Sequence, residues 1–270
     1  MDFRFLNQKT VKDCFPLPII EECLDTLQGN TYFSTLGLSS GYYQIKMADK
    51  DRKKIALITR YGLFEHTRMG MGLCYAPTTF QRPMQLVLRG MIWTQVLVYI
   101  DDIIVLGKNV DCALQHLRNV FERMRGYNLR LKPTKCELFQ LEVEFLGKLI
   151  NAEGISIAPG KKQAVLNWPT PTHTKECMSF LGFVNNHRDH VPDFVTITCC
   201  LYELADSKDF VWLSRHETSF QQIKQALTFA SCLVYPTQEG AFILDTDASY
   251  NYIGAVLSQV QNNEENAMYY

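Results

Sequence analysis

The stretch VLVYIDDIIVL, residues 96–106, decides the fold prediction for this chain. Two adjacent carboxylates, Asp101 and Asp102, lie between two apolar runs that contain valine, isoleucine and tyrosine. Apolar runs of this length and composition are typical of buried β-strands, so the stretch predicts a hairpin with the two acids at its tip. A membrane span is excluded, because each acid would cost about 2.5–3.5 kcal/mol at the centre of a bilayer.

Adjacent carboxylates inside an apolar strand are costly to bury unless a cation neutralises them. Magnesium binds carboxylates together with substrate phosphates, so Asp101 and Asp102 indicate a metal site for phosphoryl transfer. The alternative is a plain β-turn, Ile-Asp-Asp-Ile, with both acids in solvent. The dipeptide alone favours neither interpretation.

Composition limits the class of protein. The chain has 270 residues, of which 47% are hydrophobic, so we expect about two domains with a real core and no long disordered region. The net charge of −1 predicts neither a nucleic-acid partner nor a membrane partner, and any attraction to phosphate has to be local. The nine cysteines lack CxxC spacing, which indicates free thiols. No signal peptide is evident, so we expect an intracellular protein, cytoplasmic or nuclear, that is not secreted.

Residues 32–45, YFSTLGLSSGYYQI, have the composition of a strand that is interrupted by Gly37. A glycine inside a strand weakens it and marks a bulge or the close approach of another backbone. Hydrophobic periodicity predicts helices at residues 76–91, 111–125, 174–184 with Thr174 as the cap, and 218–228. A two-stranded hairpin is predicted at residues 241–249 and 253–260.

YIDDIIV resembles the Tyr-x-Asp-Asp hairpin of reverse transcriptases, and the motifs around it follow that family's order. DFRFLN (2–7) resembles the family's opening segment, and the stretch that ends in YFSTLGLSSGYYQI resembles the first palm strand of gypsy-class long-terminal-repeat retrotransposons. Similar matches follow for MGMGLCYAPTTFQ (69–81), LRLKPTKCELF (129–139), VEFLGKLI (143–150), SFLGFVNN (179–186) and LDTDASYNYIGAVLSQ (244–259). The resemblance covers nearly the whole chain.

The resemblance implies an α+β fold: a right-hand polymerase palm with partial fingers, a thumb-like helical connection and the first hairpin of a ribonuclease H-like domain. The implied boundaries are 1–150 for fingers and palm, 151–209 for the thumb and connection, and 210–270 for the truncated ribonuclease H-like part. We expect the chain to begin inside the fingers, without the basic strand that binds triphosphate, and the later ribonuclease H acids to lie beyond Tyr270.

The resemblance assigns metal binding and catalysis to Asp101 and Asp102. In the family the first palm strand reads Leu-Asp-Leu, and its aspartate joins the hairpin acids in holding two Mg²⁺ ions. Here the strand reads Leu36-Gly37-Leu38, so that carboxylate is missing. Leu38 can still offer a backbone carbonyl, and we expect weak Mg²⁺ binding.

Substrate contacts are implied at three further positions. Tyr42 matches the aromatic residue that closes under the sugar and rejects a 2′-hydroxyl, with core packing as the alternative. Met71 stands in the nucleotide pocket where the family has phenylalanine, and Gly70 and Tyr75 also depart from the family pattern. Lys135 matches the lysine that protonates pyrophosphate, with an exposed surface lysine as the alternative.

At the other end of the chain, Asp247 matches the first catalytic, metal-binding carboxylate of ribonuclease H. Tyr250 replaces a frequent aspartate, and Asp245 is expected to be a solvent residue at a strand end. One carboxylate cannot hold a two-metal site, so we expect no cleavage of hybrids.

A basic run between residues 118 and 135 predicts contact with a phosphate backbone through Arg123, Arg125 and Arg130. A solvated helix face is the equal alternative. Gly147 lies in the segment that resembles the primer grip and is assigned to nucleic-acid binding. His187 and His190, three residues apart, are interpreted as surface positions.

The implied partners are an RNA template, a DNA primer, an RNA–DNA hybrid and deoxynucleoside triphosphates, and no membrane. The resulting hypothesis is a retrotransposon-derived RNA-directed DNA polymerase with a partial ribonuclease H region, impaired at Gly37. The alternatives are a non-catalytic nucleic-acid binding protein, an intact polymerase whose Gly37 codon was misread, and a relic without function.

Overall fold

The computed structural model describes residues 2–11, 15–237, 239–248, 253–261 and 264–269. The chain forms two compact units, residues 1–145 and residues 146–270.

The first unit is a mixed helix and sheet structure. Its helices are α1 (Arg4–Lys9), α2 (Ile20–Asp25), α3 (Asp49–Arg52), α4 (Ala76–Val87) and α5 (Val110–Gly126). Its strands are β1 (Tyr32–Leu38), β2 (Leu57–Thr59), β3 (Gly62–Phe64), β4 (Val96–Tyr99), β5 (Asp102–Gly107), β6 (Leu131–Gln140) and β7 (Glu142–Phe145). Single turns of 3₁₀-helix follow β1 at Gly41–Gln44 and follow α3 at Lys53–Ile55.

A four-stranded sheet with the order β4-β5-β1-β6 forms the centre of this unit. Its described pairings are antiparallel, and Leu36 of β1 lies opposite Ile103 of β5, which lies opposite Val98 of β4. Paired residues project their side chains from the same face of a sheet. These three residues are buried with the apolar faces of α4 and α5, so one face of the sheet is covered by those two helices.

The other face of the sheet carries the next residues of each strand, because side chains alternate along a strand. Tyr99 of β4 lies opposite Asp102 of β5, which lies opposite Gly37 of β1. Asp102 is therefore positioned on the face that α4 and α5 do not cover.

Local sequence signals explain the two long helices of this unit. Pro77 lies in the first turn of α4, where its missing N–H is not needed. Asn109 caps α5, because its side-chain oxygen accepts a hydrogen bond from the Cys112 N–H at 2.8 Å.

The second unit contains four α-helices, a turn of 3₁₀-helix at Arg188–His190 and six strands among its described residues. The helices are α6 (Pro159–Leu166), α7 (Thr174–Asn185), α8 (Phe194–Asp206) and α9 (Ser214–Thr228). The strands are β8 (Lys148–Asn151), β9 (Gly154–Ile157), β10 (Leu233–Val234), β11 (Phe242–Ala248), β12 (Ile253–Gln261) and β13 (Glu264–Tyr269).

Aromatic residues form the centre of the helical core in this unit. The rings of Phe180 on α7 and Phe220 on α9 are 4.6 Å apart, and both residues are fully buried. Trp168 packs edge-on against Phe180 with a ring separation of 5.7 Å. Large aromatic side chains bury much apolar surface, so a few of them stabilise a small helical unit.

Two details of the second unit differ from the sequence predictions. The cap of α7 is His173, whose Nδ1 accepts a hydrogen bond from the Glu176 N–H at 3.2 Å, and Thr174 is the first helical residue. The C-terminal hairpin is larger than expected, because β13 pairs with β12 and makes a sheet of three strands.

The interpretation of His187 and His190 as surface residues is wrong. Each has only 2% of its surface exposed. Burial, followed by the charge of Lys148, lowers the pKa of both imidazoles to about 4. No periodic pattern indicates this burial, because both residues follow the end of the periodic helix α7.

Candidate active site

The two acids lie at a hairpin tip that has an unusual backbone. Ile100, the residue before Asp101, has a φ of 56°, a left-handed conformation that β-branched residues rarely adopt. A neighbour has to hold this conformation, because it is disfavoured in isolation.

Gln81 of α4 provides that support. Its Oε1 accepts a hydrogen bond from the Ile100 N–H at 2.6 Å, and its Nε2 donates to the Val98 carbonyl at 3.0 Å. The side chain is completely buried, so both hydrogen bonds are shielded from water. Gln81 was not among the predicted site residues, although a glutamine beside Phe80 on an apolar helix face was a usable signal.

Asp102, the first residue of β5, is close to two charged groups, Asp101 and Lys135. Burial of the carboxyl group, followed by the negative charge of Asp101, raises the pKa of Asp102. The positive charge of Lys135 acts in the opposite direction. The structure therefore brings Asp101, Asp102 and Lys135 together, as the sequence-based assignment required.

Tyr42 lies beside the same acids. Burial, followed by the charge of Asp101, raises the pKa of the Tyr42 phenol. Its ring packs edge-on against Phe80 with a centroid distance of 5.4 Å. Tyr42 therefore packs against the core, as the alternative interpretation had it, and lies near Asp101, while its contact with the sugar stays a prediction.

Gly37 is held in place by β6. Leu36 pairs with Cys136 and Leu38 pairs with Leu131, so the four residues 132–135 of β6 lie opposite Gly37 alone. Such a bulge bends a strand and interrupts the ladder. A Cβ on Gly37 would contact the Cβ of Lys135 and lie 2.8 Å from its carbonyl oxygen and 3.1 Å from its Cδ.

Both sequence interpretations of Gly37 therefore apply. The position lacks the carboxylate of the family pattern, and another backbone approaches it so closely that any side chain would force a shift. A carboxylate at residue 37 would project from the same face as Asp102, because the two residues are paired.

The carboxylates that are present do not fit a two-metal centre. Such a centre holds two ions about 3.5–4 Å apart and uses several carboxylates to do so. Within the part of the chain that the structure describes, no group of three or more histidine, cysteine, aspartate or glutamate residues could hold a metal ion. Asp101 and Asp102 have no third acidic partner there.

Leu38 and Met71 have different environments. Leu38, the last residue of β1, is buried in the core that α4 and α5 share. Its side chain has no atom that binds a metal, so the backbone carbonyl is the only ligand that this residue can offer. Met71 is 58% exposed and lies in the loop before α4. Asn7 holds that loop by donating to the Gly72 carbonyl at 2.8 Å and accepting from the Cys74 N–H at 3.0 Å.

The three arginines assigned to nucleic-acid binding do not have equivalent positions. Arg123 donates to the carbonyl oxygens of Val87 and Arg89 at 3.0 Å and 3.3 Å, so its guanidinium binds the C-terminal end of α4. Arg125 and Arg130 are exposed and line one surface recess at the end of α5.

Gln44 fixes the backbone of Arg130. The Arg130 N–H donates to Gln44 Oε1 at 2.7 Å, and Gln44 Nε2 donates to the Arg130 carbonyl at 2.9 Å. The recess lies at the end of α5, the helix that covers the sheet face opposite to Asp102. The structure thus brings Arg125 and Arg130 together at one recess.

The remaining assigned residues lie in the second unit. Gly147 and the preceding Leu146 have φ values of 76° and 52°, which are typical of a two-residue hairpin turn. Asp247 lies in β11 opposite Gly254 of β12, and its side chain lies outside the described part of the structure. Tyr250 lies outside the described residues, and Asp245 is exposed.

None of the helices built from the described residues is both long enough and apolar enough to cross a membrane. None of the eight cysteines that the structure describes forms a disulfide bond.

Comparison with protein families gives two matches. The model of the reverse transcriptase (RNA-dependent DNA polymerase) family matches residues 1–184. The model of the RNase H-like domain found in reverse transcriptase matches residues 212–270. The α+β fold class inferred from the sequence is confirmed, and so is the resemblance that suggested it.

Retrotransposon polyproteins are similar over almost the whole chain. The Retrovirus-related Pol polyprotein from transposon 297 of Drosophila melanogaster is 36% identical over 265 residues, which cover 96% of this chain and 25% of that protein. The corresponding polyprotein from transposon gypsy of the same organism is 33% identical over 273 residues, with coverage of 96% and 26%. The chain thus spans about a quarter of these relatives.

Solved structures share the fold. The foamy viral protease-reverse transcriptase in complex with ds DNA superposes with a TM-score of 0.88 at 24% identity, covering all of this chain and 47% of the other. The same enzyme type in complex with RNA/DNA hybrid gives a TM-score of 0.84 at 24% identity, covering all of this chain and 37% of the other. At this identity the likeness concerns the fold alone.

Proposed function

The chain belongs to the reverse transcriptase family, and from that premise we propose that it binds primer–template nucleic acid but does not carry out efficient nucleotidyl transfer. It contains reverse transcriptase and RNase H-like domains of the kind found in retrotransposon Pol polyproteins. As boundaries we propose fingers and palm at 1–150, a thumb-like connection at 151–209 and a partial ribonuclease H-like region at 210–270.

A single observation supports the loss of catalysis: Gly37 lies opposite Asp102, where the family pattern has a carboxylate. Both protein families use divalent metals, and we propose that Asp101 and Asp102 bind Mg²⁺ only weakly. Loss of a bridging carboxylate removes several kcal/mol of transition-state stabilisation, which corresponds to a rate loss of about a thousandfold or more.

Binding of nucleic acid is proposed on separate grounds. The structural neighbours were solved with ds DNA and with RNA/DNA hybrid, and this chain shares their fold. Arg125 and Arg130 form an exposed basic pair in one recess, which suits a phosphate backbone. We propose an RNA–DNA hybrid as the preferred partner, with Tyr42, Met71 and Lys135 as residual contacts to a nucleoside triphosphate and Gly147 as a contact to the primer.

The test combines binding and primer extension on one preparation. A labelled DNA primer on an RNA template should bind at low salt, and its affinity should fall as salt rises, because counterions are released when arginines meet phosphates. Extension with Mg²⁺ should be about a thousandfold slower than that of an active family member. The control is Asp101→Asn with Asp102→Asn, which should leave binding intact.

The two halves of the proposal can fail separately. Extension at ordinary polymerase rates that disappears in the double asparagine variant would contradict the loss of catalysis. Absence of hybrid binding at low salt would contradict the binding function and favour a relic without activity. A hybrid-cleavage assay tests the expectation that Asp247 supports no ribonuclease H activity. We expect no cleavage, and cleavage that is lost in Asp247→Asn would contradict this expectation.

A further inference from the structure

A small cavity, here called the β4 cavity, lies beside β4, the edge strand of the central sheet. Its volume is about 240 Å³, and its walls come from the chain around α2, from α4, from the loop after α4 and from β4 itself. Pro18, Ile92 and Leu97 make much of the lining apolar, and Trp93 adds an aromatic ring. Among the described residues that line the cavity, Arg89 is the one that carries a charge.

The loop after α4 is fixed by its own backbone, so the cavity is preformed. The Met91 carbonyl accepts hydrogen bonds from the N–H groups of Gln95 and Val96 at 2.9 Å and 3.2 Å, and the Trp93 N–H donates to the Val96 carbonyl at 3.1 Å. Trp93 has a φ of 72°, a left-handed conformation that a bulky residue rarely adopts. Glycine would adopt this turn at lower cost, and backbone strain of this kind is common where ligands bind.

Three side chains form a polar stripe along the β4 cavity. Gln81, Gln85 and Arg89 follow one another at intervals of four residues, so they lie on one side of α4 and its end. The buried Gln81 already holds the hairpin tip, whereas Gln85 and Arg89 have no side-chain hydrogen bond or ion pair to a described residue. The cavity therefore presents an unpaired cation and an unpaired carboxamide next to apolar walls.

We propose that the β4 cavity binds a small aromatic carboxylate, with the carboxylate on Arg89 and the ring beside Trp93 and Leu97. An arginine fork binds a carboxylate through two parallel hydrogen bonds, and an aromatic ring gains from burial and from stacking. The volume limits the size of the ligand, because a cavity of about 150 Å³ holds benzene and drug-sized ligands need about 300 Å³ or more. A ligand of one or two rings therefore fits, and a nucleoside triphosphate does not.

This inference is independent of the proposed function, and its test needs neither primer extension nor nucleic acid. The probe is naphthoate, and its uncharged counterpart is naphthamide. Saturation-transfer NMR with the full chain should show saturable naphthoate binding with a Kd of about 1 mM or tighter, the range for a ligand of this size. Naphthamide should bind about fivefold or more weakly, because it lacks the charge that Arg89 binds.

Two variants change the charge of the polar stripe. Arg89→Gln removes the cation, and Gln85→Glu adds an anion of nearly the same shape as the native side chain. Each should weaken naphthoate binding about fivefold or more and leave naphthamide binding unchanged. The control is Arg118→Gln, which removes an exposed charge from α5 that does not line the cavity, and it should change the affinity for neither probe.

Hydrogen exchange locates the ligand, because naphthoate should slow exchange in residues 88–97. Protection confined to other segments would overturn the inference. So would the absence of saturable naphthoate binding up to about 5 mM, or equal affinities for naphthoate and naphthamide. An unchanged naphthoate affinity in Arg89→Gln, at the melting temperature of the native chain, would mean that Arg89 does not bind the carboxylate and would overturn it as well.

Discussion

The two regions that the family pattern marks as metal-binding share one feature: in each, an aspartate lies across an antiparallel pair from a glycine. In the first unit Asp102 lies opposite Gly37, and in the second unit Asp247 lies opposite Gly254. The surroundings of the two glycines differ. A Cβ on Gly37 would meet the backbone of Lys135, whereas a Cβ on Gly254 would meet no described atom within 4 Å.

The same pairing of an aspartate with a glycine therefore occurs in two different surroundings. Neighbouring atoms restrict a side chain at residue 37, whereas there is room for one at residue 254. Lys135 of β6 lies where a Cβ on residue 37 would be placed, so a side chain at this position requires β6 to shift. Gly254 is not required by packing against the described residues. Whether a carboxylate fits at such a position therefore depends on how closely the neighbouring strand packs against it.

The largest expected effect is a pH dependence of stability that differs between the two units. His187 and His190 have a pKa of about 4 in the folded chain, against about 6.5 for an unfolded histidine. The unfolded state therefore binds more protons between these values, and the free energy of unfolding of the second unit falls as the pH decreases from 7 to 5. The expected loss is about 2 kcal/mol for each histidine.

Acidification should have the opposite effect on the contribution of Asp102 to the stability of the first unit. The raised pKa of Asp102 means that its charged form is disfavoured in the folded state, so acidification relieves that cost. In a Trp93→Phe background the remaining tryptophans, Trp168 and Trp212, report on the second unit alone. Urea midpoints that are equal at pH 7 and pH 5 would contradict the prediction, and replacing both histidines by glutamine should flatten the pH dependence.

The next effect tests the comparison directly. Gly37→Ala should lower the local stability of β1 and β5 by about 1–3 kcal/mol, because the added Cβ overpacks against β6. Gly254→Ala should change the stability of β11 and β12 by less than about 0.5 kcal/mol. Hydrogen exchange of peptides from these strands measures both. Equal effects at the two glycines would remove the distinction between them.

Much of this architecture was predictable because local patterns, such as hydrophobic period and helix caps, determine the elements. The apolar run around Asp101 and Asp102 has the period of a strand, and α5 has a clear cap at Asn109, so local patterns were sufficient there. Helix α8, Phe194–Asp206, was missed, because it is apolar on several sides and lacks a side-chain cap.

The site was predictable only in part. Asp101, Asp102, Tyr42 and Lys135 come together as expected, because ordered motifs fix their strands. The bulge of β6 was not predictable, because it depends on the register of two strands about 100 residues apart. The burial of His187 and His190 likewise depends on tertiary packing that periodicity does not report.

The smallest expected effect concerns the arginines near the end of α5. Arg123→Ala removes hydrogen bonds to the carbonyl oxygens of Val87 and Arg89, so we expect a loss of about 1 kcal/mol of stability and no specific effect on nucleic-acid binding. Arg125→Ala and Arg130→Ala should each lower the affinity for an RNA–DNA hybrid and reduce the slope of log affinity against log salt by about 1 at most, because each removes one phosphate contact. Titration of a labelled hybrid at several salt concentrations measures the slope, and urea denaturation measures the stability of each variant. If Arg123→Ala alone weakened hybrid binding at unchanged stability, the contact of Arg123 with the end of α4 would not be its main role. The proposal that the recess of Arg125 and Arg130 binds the phosphate backbone would then be wrong.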